Sequence, residues 1–178
     1  MKKKIQKFIT GLLESVLTVI LAFIVLNIFL GELLIVTGDS MLPTLHDGEQ
    51  LIGEKLSINF APPKKGEIVI FQSPLEDSLI IKRIIAIPGD KVKIEGERMY
   101  INGVLPEEPY VDDHAVESGA KIQEGTEYTV PEKHYVVMGD NRDHSYDSRE
   151  WGFLPAENIK SRAILVYYPI KNARLIKR

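Results

Sequence analysis

The chain has 178 residues, of which 44% are hydrophobic and 26% are charged, and its formal net charge is −3. This balance is typical of a globular domain and excludes wholesale disorder and collagen-like or coiled-coil arrays, while the acidic excess argues against neutralisation of nucleic-acid phosphates. Because the chain has no cysteine, disulfides, thiol nucleophiles and cysteine-ligated metal sites are excluded.

An apolar segment near the N-terminus departs most strongly from these averages. At 12–30, 15 of 19 residues are apolar, and a helix of that length spans ~28 Å, close to the ~30 Å hydrocarbon core of a bilayer. Four lysines and no acidic residue precede the segment, so the positive-inside rule places the N-terminus in the cytoplasm. The sequence predicts a cytoplasmic terminus at 1–11, a transmembrane anchor at 12–31 and an extracytoplasmic domain at 37–178.

A cleavable signal peptide is the alternative interpretation of this segment. Its apolar core normally runs ~7–15 residues and ends in small residues of the A-x-A type. Here the apolar core is longer, and the small-x-small pair nearest to it is Gly38 and Ser40. The pattern therefore favours an anchor that is not removed.

The remaining chain carries a pattern typical of β structure. Its apolar residues come in short runs separated by Gly, Pro, Asn and Asp, and the dipeptide Asn102-Gly103 indicates a type I′ hairpin turn. The acidic, turn-rich stretch at 106–125 is expected to be an exposed insertion. We predict a mostly β, antiparallel coiled sheet behind one N-terminal transmembrane α-helix. Its predicted strands lie at 50–53, 67–73, 79–87, 91–95, 98–101, 128–130, 134–138 and 163–168.

The first candidate for chemistry is Ser40, ten residues beyond the apolar segment. Pro43 fixes its own φ and disfavours the helical region for the residue before it, so we expect the loop to stay extended after Ser40. An isolated serine in a loop is most often a turn residue. Its chemical meaning therefore depends on the other groups that the fold brings to it.

The second candidate is a pair of cations inside the apolar run at 79–87. With the two-residue period of a strand, Lys82 and Arg83 lie on opposite faces, and both faces are apolar, so at least one cation is partly buried or at a sheet edge. Arginine stays charged, whereas burial can bring the pKa of a lysine from ~10.4 to ~8. A neutral lysine is a usable general base for a serine. A lysine whose stem covers apolar surface while its amine reaches water is the ordinary alternative.

The third candidate is the charged segment at 139–152, which follows the predicted strand at 134–138. An EF-hand loop beginning at Asp143 would need glycine and glutamate where the chain has Ser148 and Leu154, so calcium binding of that type is excluded. A buried salt-bridge loop with a serine that can bond to an amine fits better.

Other catalytic templates fit poorly. The chain has no G-x-S-x-G elbow, Walker loop, dinucleotide fingerprint or HExxH motif, and Pro43 stands where the S-x-x-K arrangement needs lysine. A Ser-His-Asp triad stays open at this point. Its candidate bases are His46, His114, His134 and His144.

Together these motifs resemble bacterial type I signal peptidases, in order and over nearly the whole chain. The segment 65–71 resembles a fourth family motif, with Glu67 where aspartate is usual. The other matching motifs are Ser40-Met41-Leu42-Pro43-Thr44, Lys82-Arg83 followed by Pro88-Gly89-Asp90, and Gly139-Asp140-Asn141-Arg142 continuing through Ser145 to Asp147-Ser148-Arg149.

The resemblance implies a membrane-bound serine endopeptidase that removes signal peptides from exported preproteins. In that case Ser40 is the nucleophile and Lys82 the general base. The supporting contacts that it implies are Ser145 with the lysine amine, Asp147 with Arg149, and Arg83 with Asp140.

The resemblance also implies cleavage after small side chains at positions −1 and −3, with the substrate bound as an added strand. Expected partners are preprotein signal peptides and the lipid bilayer at the plasma membrane, with the secretion translocon as a further candidate. No nucleic acid, metal or cofactor is expected. The residues implied to line the pockets are Val36, Gly38, Met41, Leu45, Ile80 and Ile81.

One position departs from part of the family. Some members have a serine two residues before the nucleophile, and its hydroxyl helps to stabilise the oxyanion, whereas this chain has Gly38 there. The oxyanion hole would then use the Ser40 N–H and a second donor, whose identity the sequence leaves open.

Two other functions stay open at this stage. One is a self-cleaving Ser–Lys protease of the SOS-repressor type, although a membrane segment here occupies the place of its DNA-binding domain. The other is a membrane-anchored binding domain without activity, in which Ser40 and Lys82 would be dispensable.

Overall fold

A computed structural model of the chain describes residues 2–111 and 116–177. Within these residues, eleven strands and two α-helices alternate with short 3₁₀ turns. The helices are α1 Lys2–Leu30 and α2 Ser148–Trp151. The strands are β1 Glu32–Ile35, β2 Gln50–Glu54, β3 Ile68–Gln72, β4 Leu79–Ala86, β5 Lys91–Ile94, β6 Met99–Ile101, β7 Glu127–Thr129, β8 His134–Met138, β9 Leu154–Pro155, β10 Ile159–Tyr168 and β11 Arg174–Leu175.

The strands form two antiparallel sheets. The larger has the order β1-β2-β10-β3-β4-β8-β9, with β11 also paired to β10, and the smaller has the order β6-β5-β7. The predicted mostly β, antiparallel class is therefore confirmed, and each of the eight predicted strands is present within a few residues. The short strands β1, β9 and β11 were not predicted, because two to four residues are too few to show a period.

Glycine fixes the junction between the helix and the larger sheet. Gly31 has a φ of +93°, and a Cβ built there would lie 1.6 Å from the carbonyl oxygen of Gly53 in β2. Only glycine permits both the left-handed backbone and this close approach. Consequently only Gly31 separates the end of the long apolar helix from the first strand of the sheet.

The predicted hairpin turn between two apolar stretches is present. Asn102 and Gly103 both have positive φ, at 52° and 76°, as a type I′ turn requires. Ile101 and Val104 exchange two backbone hydrogen bonds across it.

The expectation of an exposed insertion at 106–125 is wrong for four of the residues that the structure describes there. Glu108 and Val111 are buried, and Val116 and Ile122 belong to the hydrophobic cluster beneath the smaller sheet. The acidic composition gave no sign that some apolar side chains of this segment lie in a core, or that Glu108 pairs with a buried arginine.

Candidate active site

Ser40 lies in a turn between β1 and β2. The N–H of Leu42 donates to Asp39 O at 3.1 Å, and the N–H of Leu45 donates to Met41 O at 2.8 Å. The expectation of an extended loop after Ser40 is therefore wrong. The loop turns because the Met41 and Leu45 side chains are both buried in the core, which draws the backbone between them inward.

Lys82 lies in the centre of the larger sheet, since β4 pairs with β3 on one side and β8 on the other. Its side chain is buried, with 4% of the residue exposed, and Nζ lies 2.5 Å from Ser40 Oγ. Arg83 is 1% exposed on the opposite face. The sequence predicted that one of these cations is partly buried or at a sheet edge, and the structure buries both.

The environment of Lys82 changes its protonation. Burial lowers the pKa of the lysine to about 8, while the carboxylates of Asp147 and Asp140 act in the opposite direction and Arg149 adds to the lowering. Burial prevails because desolvation of an ammonium costs more than these carboxylates return. A substantial neutral fraction near neutral pH makes the amine a competent proton acceptor.

Arg83, by contrast, stays charged and is fully partnered. Its Nε and Nη2 bond to the two oxygens of Asp140 at 2.8 and 2.7 Å, and its Nη1 donates to Gly66 O at 2.7 Å. The Thr44 hydroxyl donates to Asp140 Oδ2 at 2.5 Å. The implied pair of Arg83 and Asp140 is thus present, and it joins β4 to the loop that carries Ser40.

Asp147 and Arg149 form the second implied pair, with Arg149 Nε 2.9 Å from Asp147 Oδ1. Asp147 Oδ2 also accepts from the N–H of Gly139 at 3.1 Å. Arg149 Nη2 donates to the carbonyls of Arg142 and Ser145 at 2.6 and 3.1 Å. These bonds hold the 139–149 segment folded on itself beneath the lysine.

Ser145 differs from what the resemblance implied. Its Oγ accepts from the Gly139 N–H at 3.1 Å, whereas the Lys82 amine bonds to Ser40. Among the described residues, Ser145 therefore contacts the end of β8 rather than the lysine. Gly139 lies so close to both serines that a Cβ there would be 2.4 Å from Ser145 Oγ and from Ser40 O.

Two of the three described histidines bond to groups other than Ser40, and the third is exposed. The Nδ1 of His134 lies 2.9 Å from Glu132 O, the Nδ1 of His144 lies 3.3 Å from Asn141 Oδ1, and His46 is exposed. His114 lies outside the described residues. The titratable side chain that the structure places in contact with the Ser40 hydroxyl is that of Lys82.

A cleft of about 340 Å³ opens beside the Ser40 and Lys82 pair. Four of the six predicted pocket residues line it, namely Val36, Met41, Ile80 and Ile81, together with Tyr146 and Glu76 at its mouth. Leu45 is instead completely buried in the core beneath, and Gly38 is exposed outside the lining. The Gly38 N–H donates to Asp47 Oδ1 at 2.8 Å, so it is not free to bond to a substrate.

Four residues of the surrounding network were not predicted, namely Thr44, Glu108, Tyr110 and Arg142. Thr44 and Arg142 stand inside recognised motifs, so proximity in sequence could have indicated them. Glu108 and Tyr110 come from the acidic insertion and carried no sequence signal. Among the residues that the structure describes, no group of three or more His, Asp or Glu side chains could hold a metal ion.

Comparison with known proteins gives consistent matches. Residues 9–168 match the family described as signal peptidase, peptidase S26. The signal peptidase I of Leptolyngbya laminosa is 37% identical over 170 residues, which cover 89% of this chain and 81% of the relative. The signal peptidase I of Bacillus licheniformis is 36% identical over 164 residues, covering 89% and 88% respectively. A crystal structure of a signal peptidase I from Enterococcus faecalis aligns with a TM-score of 0.46 at 28% identity, over 57% of this chain and 97% of that one.

The contact between Thr44 and Asp140 generates a test of the network. Thr44→Val keeps the shape of the side chain but leaves a buried carboxylate oxygen short of one donor, so the free energy of unfolding should fall by about 1–3 kcal/mol. Thr129→Val, at an exposed position of β7, should change it by less than about 0.5 kcal/mol. Denaturant unfolding of the detergent-solubilised chain measures both, and equal changes in the two variants would contradict the assignment.

Proposed function

The chain belongs to the signal peptidase family, peptidase S26, and we propose that Ser40 and Lys82 are the residues with which it cleaves. Members of this family are serine endopeptidases that remove signal peptides, and the chain shares this activity. The observation that carries the residue assignment is the distance of 2.5 Å between Lys82 Nζ and Ser40 Oγ. The amine at this distance is buried and in hydrogen-bond contact with the hydroxyl.

The geometry supports a two-step acyl transfer. Neutral Lys82 takes the proton of the Ser40 hydroxyl as Oγ attacks the scissile carbonyl carbon, and the resulting ammonium gives this proton to the departing amine of the mature chain. The signal peptide is then held as an ester on Ser40. A water molecule, deprotonated by the same amine, cleaves the ester and restores the hydroxyl.

The oxyanion of each tetrahedral intermediate needs donors that are already in place. We assign one to the backbone N–H of Ser40. Gly38 has no hydroxyl to offer, and its N–H is committed to Asp47, so the second donor must come from another group or from water.

The cleft supports a preference for small side chains at positions −1 and −3. Most of the residues that line it are apolar, and they include the end of β1 and the beginning of β4. An extended peptide could bond to strand backbone on either side while alternate side chains point into the cleft. Large side chains at those two positions would collide with Met41 and Ile80.

An outward face of the larger sheet supports contact with the bilayer. Leu33, Ile52, Leu165 and Leu175 lie directly opposite one another across four strands. The outer two are 68% and 72% exposed. Burial of such a face in the lipid interface would remove apolar surface from water and would hold the cleft near the membrane.

The helix supports a single-pass anchor. Among the described residues, the stretch Lys3–Phe23 of α1 is long and apolar enough to cross a membrane. We propose that the chain divides as the sequence indicates, with 1–11 in the cytoplasm, 12–31 in the plasma membrane and 37–178 outside. A signal peptide in the same bilayer then presents its cleavage site at the level of Ser40, which raises the effective concentration of the scissile bond. The secretion translocon, which delivers such precursors, stays a candidate partner.

Replacement of either proposed catalytic residue tests the mechanism. Detergent-solubilised protein should release the mature chain from a precursor with an A-x-A site, and Ser40→Ala and Lys82→Ala should each reduce release by at least about 10³-fold. Lys91→Ala, in which an exposed lysine is removed, should leave the rate unchanged. Substantial cleavage by Lys82→Ala would mean that another group is the base. Unchanged cleavage by Ser40→Ala would exclude this serine as the nucleophile.

The lowered pKa of Lys82 predicts a specific pH dependence. The base is active when neutral, so kcat/KM should rise about tenfold per pH unit below the pKa of about 8 and level off above it. The measurement is kcat/KM for the same precursor between pH 6 and pH 10. A kcat/KM that keeps rising to pH 10 would show that the Lys82 amine is as solvated as that of an ordinary lysine.

The proposed topology predicts a protection pattern. Protease added outside intact cells should digest 37–178, whereas a tag placed before Lys2 should become accessible only after the membrane is permeabilised. Immunoblots against the tag and the C-terminus read both ends. Protection of the C-terminal domain in intact cells would reverse the orientation.

A further inference from the structure

The 139–142 loop holds the backbone of the proposed nucleophile. The N–H of Asn141 donates to Ser40 O at 3.1 Å, and Asn141 Nδ2 donates to Asp39 O at 3.1 Å. Any displacement of this loop therefore moves Ser40 relative to Lys82, whose own position is fixed by the central strand. The position of the loop decides whether the hydroxyl and the amine meet.

Glu108, which lies outside the 139–142 loop, binds this loop through Arg142. Both of its carboxylate oxygens accept from Arg142, with Nη1 at 3.0 Å and Nη2 at 2.6 Å, and Arg142 Nε donates to Gly139 O at 3.0 Å. Glu108 is 8% exposed, so the fork-to-fork pair is largely dry. Such a bidentate pair restrains orientation as well as distance.

Tyr110 connects the same glutamate to the other arginine. Its hydroxyl donates to Glu108 Oε1 at 3.0 Å, and its ring lies 3.8 Å from the guanidinium carbon of Arg83. Arg83 in turn bonds to Asp140. The contacts close a ring from Arg83 through Asp140 along the loop to Arg142, and back through Glu108 and Tyr110.

We infer that Glu108 is a positioning residue for the Ser40 and Lys82 pair, and that the 106–111 segment acts as a clamp on the loop that holds the nucleophile. This inference rests on the proposed function and extends it. Glu108 touches neither Ser40 nor Lys82 and acts through Arg142 and the backbone that follows Gly139. Tyr110 completes the clamp by covering Arg83 and orienting the Glu108 carboxylate.

The clamp predicts a separation between kcat and KM. Glu108→Gln keeps the size of the side chain but loses the ionic grip, so kcat for an A-x-A precursor should fall about 10- to 100-fold, as expected when reacting groups are displaced by a fraction of an ångström to an ångström. KM should stay within about twofold, because β1 and β4, which this loop does not position, supply half of the residues that line the cleft. Glu107→Gln removes the same charge from an exposed neighbouring position and should leave both constants unchanged.

A double variant separates positioning from stability. Glu108→Gln leaves Arg142 buried without its counter-ion, and the melting temperature should fall. Glu108→Met combined with Arg142→Met removes both charges, so the melting temperature should return toward that of the wild type, whereas kcat should remain at least about tenfold low. Recovery of kcat in step with the melting temperature would overturn the inference, as would a Glu108→Gln variant with normal kcat. Failure of the wild type to cleave the precursor would instead contradict the proposed function.

Discussion

The dry contact between the Lys82 amine and the Ser40 hydroxyl is the constraint around which the rest of the site is arranged. A lysine in water is almost entirely an ammonium and accepts no proton, so the amine must be buried. Burial of this amine without any nearby anion would lower its pKa further. The carboxylates of Asp147 and Asp140 limit how far the pKa of Lys82 falls. The result, a pKa of about 8, leaves a usable neutral fraction near neutral pH.

Placing that amine in a central strand has a structural cost on the opposite face. Arg83 follows Lys82 directly, and a strand points neighbouring side chains in opposite directions. Arginine cannot lose its charge, so its face must supply an anion, several acceptors and an aromatic cover. Asp140, Gly66 O and the Tyr110 ring provide these. One face of β4 thus serves the proposed chemistry, and the other ties the reactive loops together.

The same logic explains why the site combines segments that are distant in sequence. The proposed nucleophile, Ser40, lies on a turn, which by itself would be mobile, and the 139–149 segment fixes it by bonding to its carbonyl. That segment is fixed in turn by three arginine–carboxylate pairs, one internal, one between Asp140 and Arg83, and one to Glu108. Buried ion pairs contribute little net stability when desolvation is counted. Their value here is geometric, because they restrain where the serine stands.

The sequence by itself determined the class of fold, the strands long enough to show a two-residue period, and the apolar helix, because these features are local. The expected pairing of Ser40 with Lys82 came from the motifs that resemble signal peptidases, since the residues alone also left a histidine base open. Only the tertiary structure decided that both cations of the 82–83 pair are buried, that Leu45 belongs to the core rather than the cleft, and that Ser145 contacts Gly139. It also decided that the acidic 106–111 segment folds inward, because a glutamate at the surface and a glutamate paired with a buried arginine look alike along the chain. Burial and long-range partnership depend on what packs against a residue, and no local pattern contains that information.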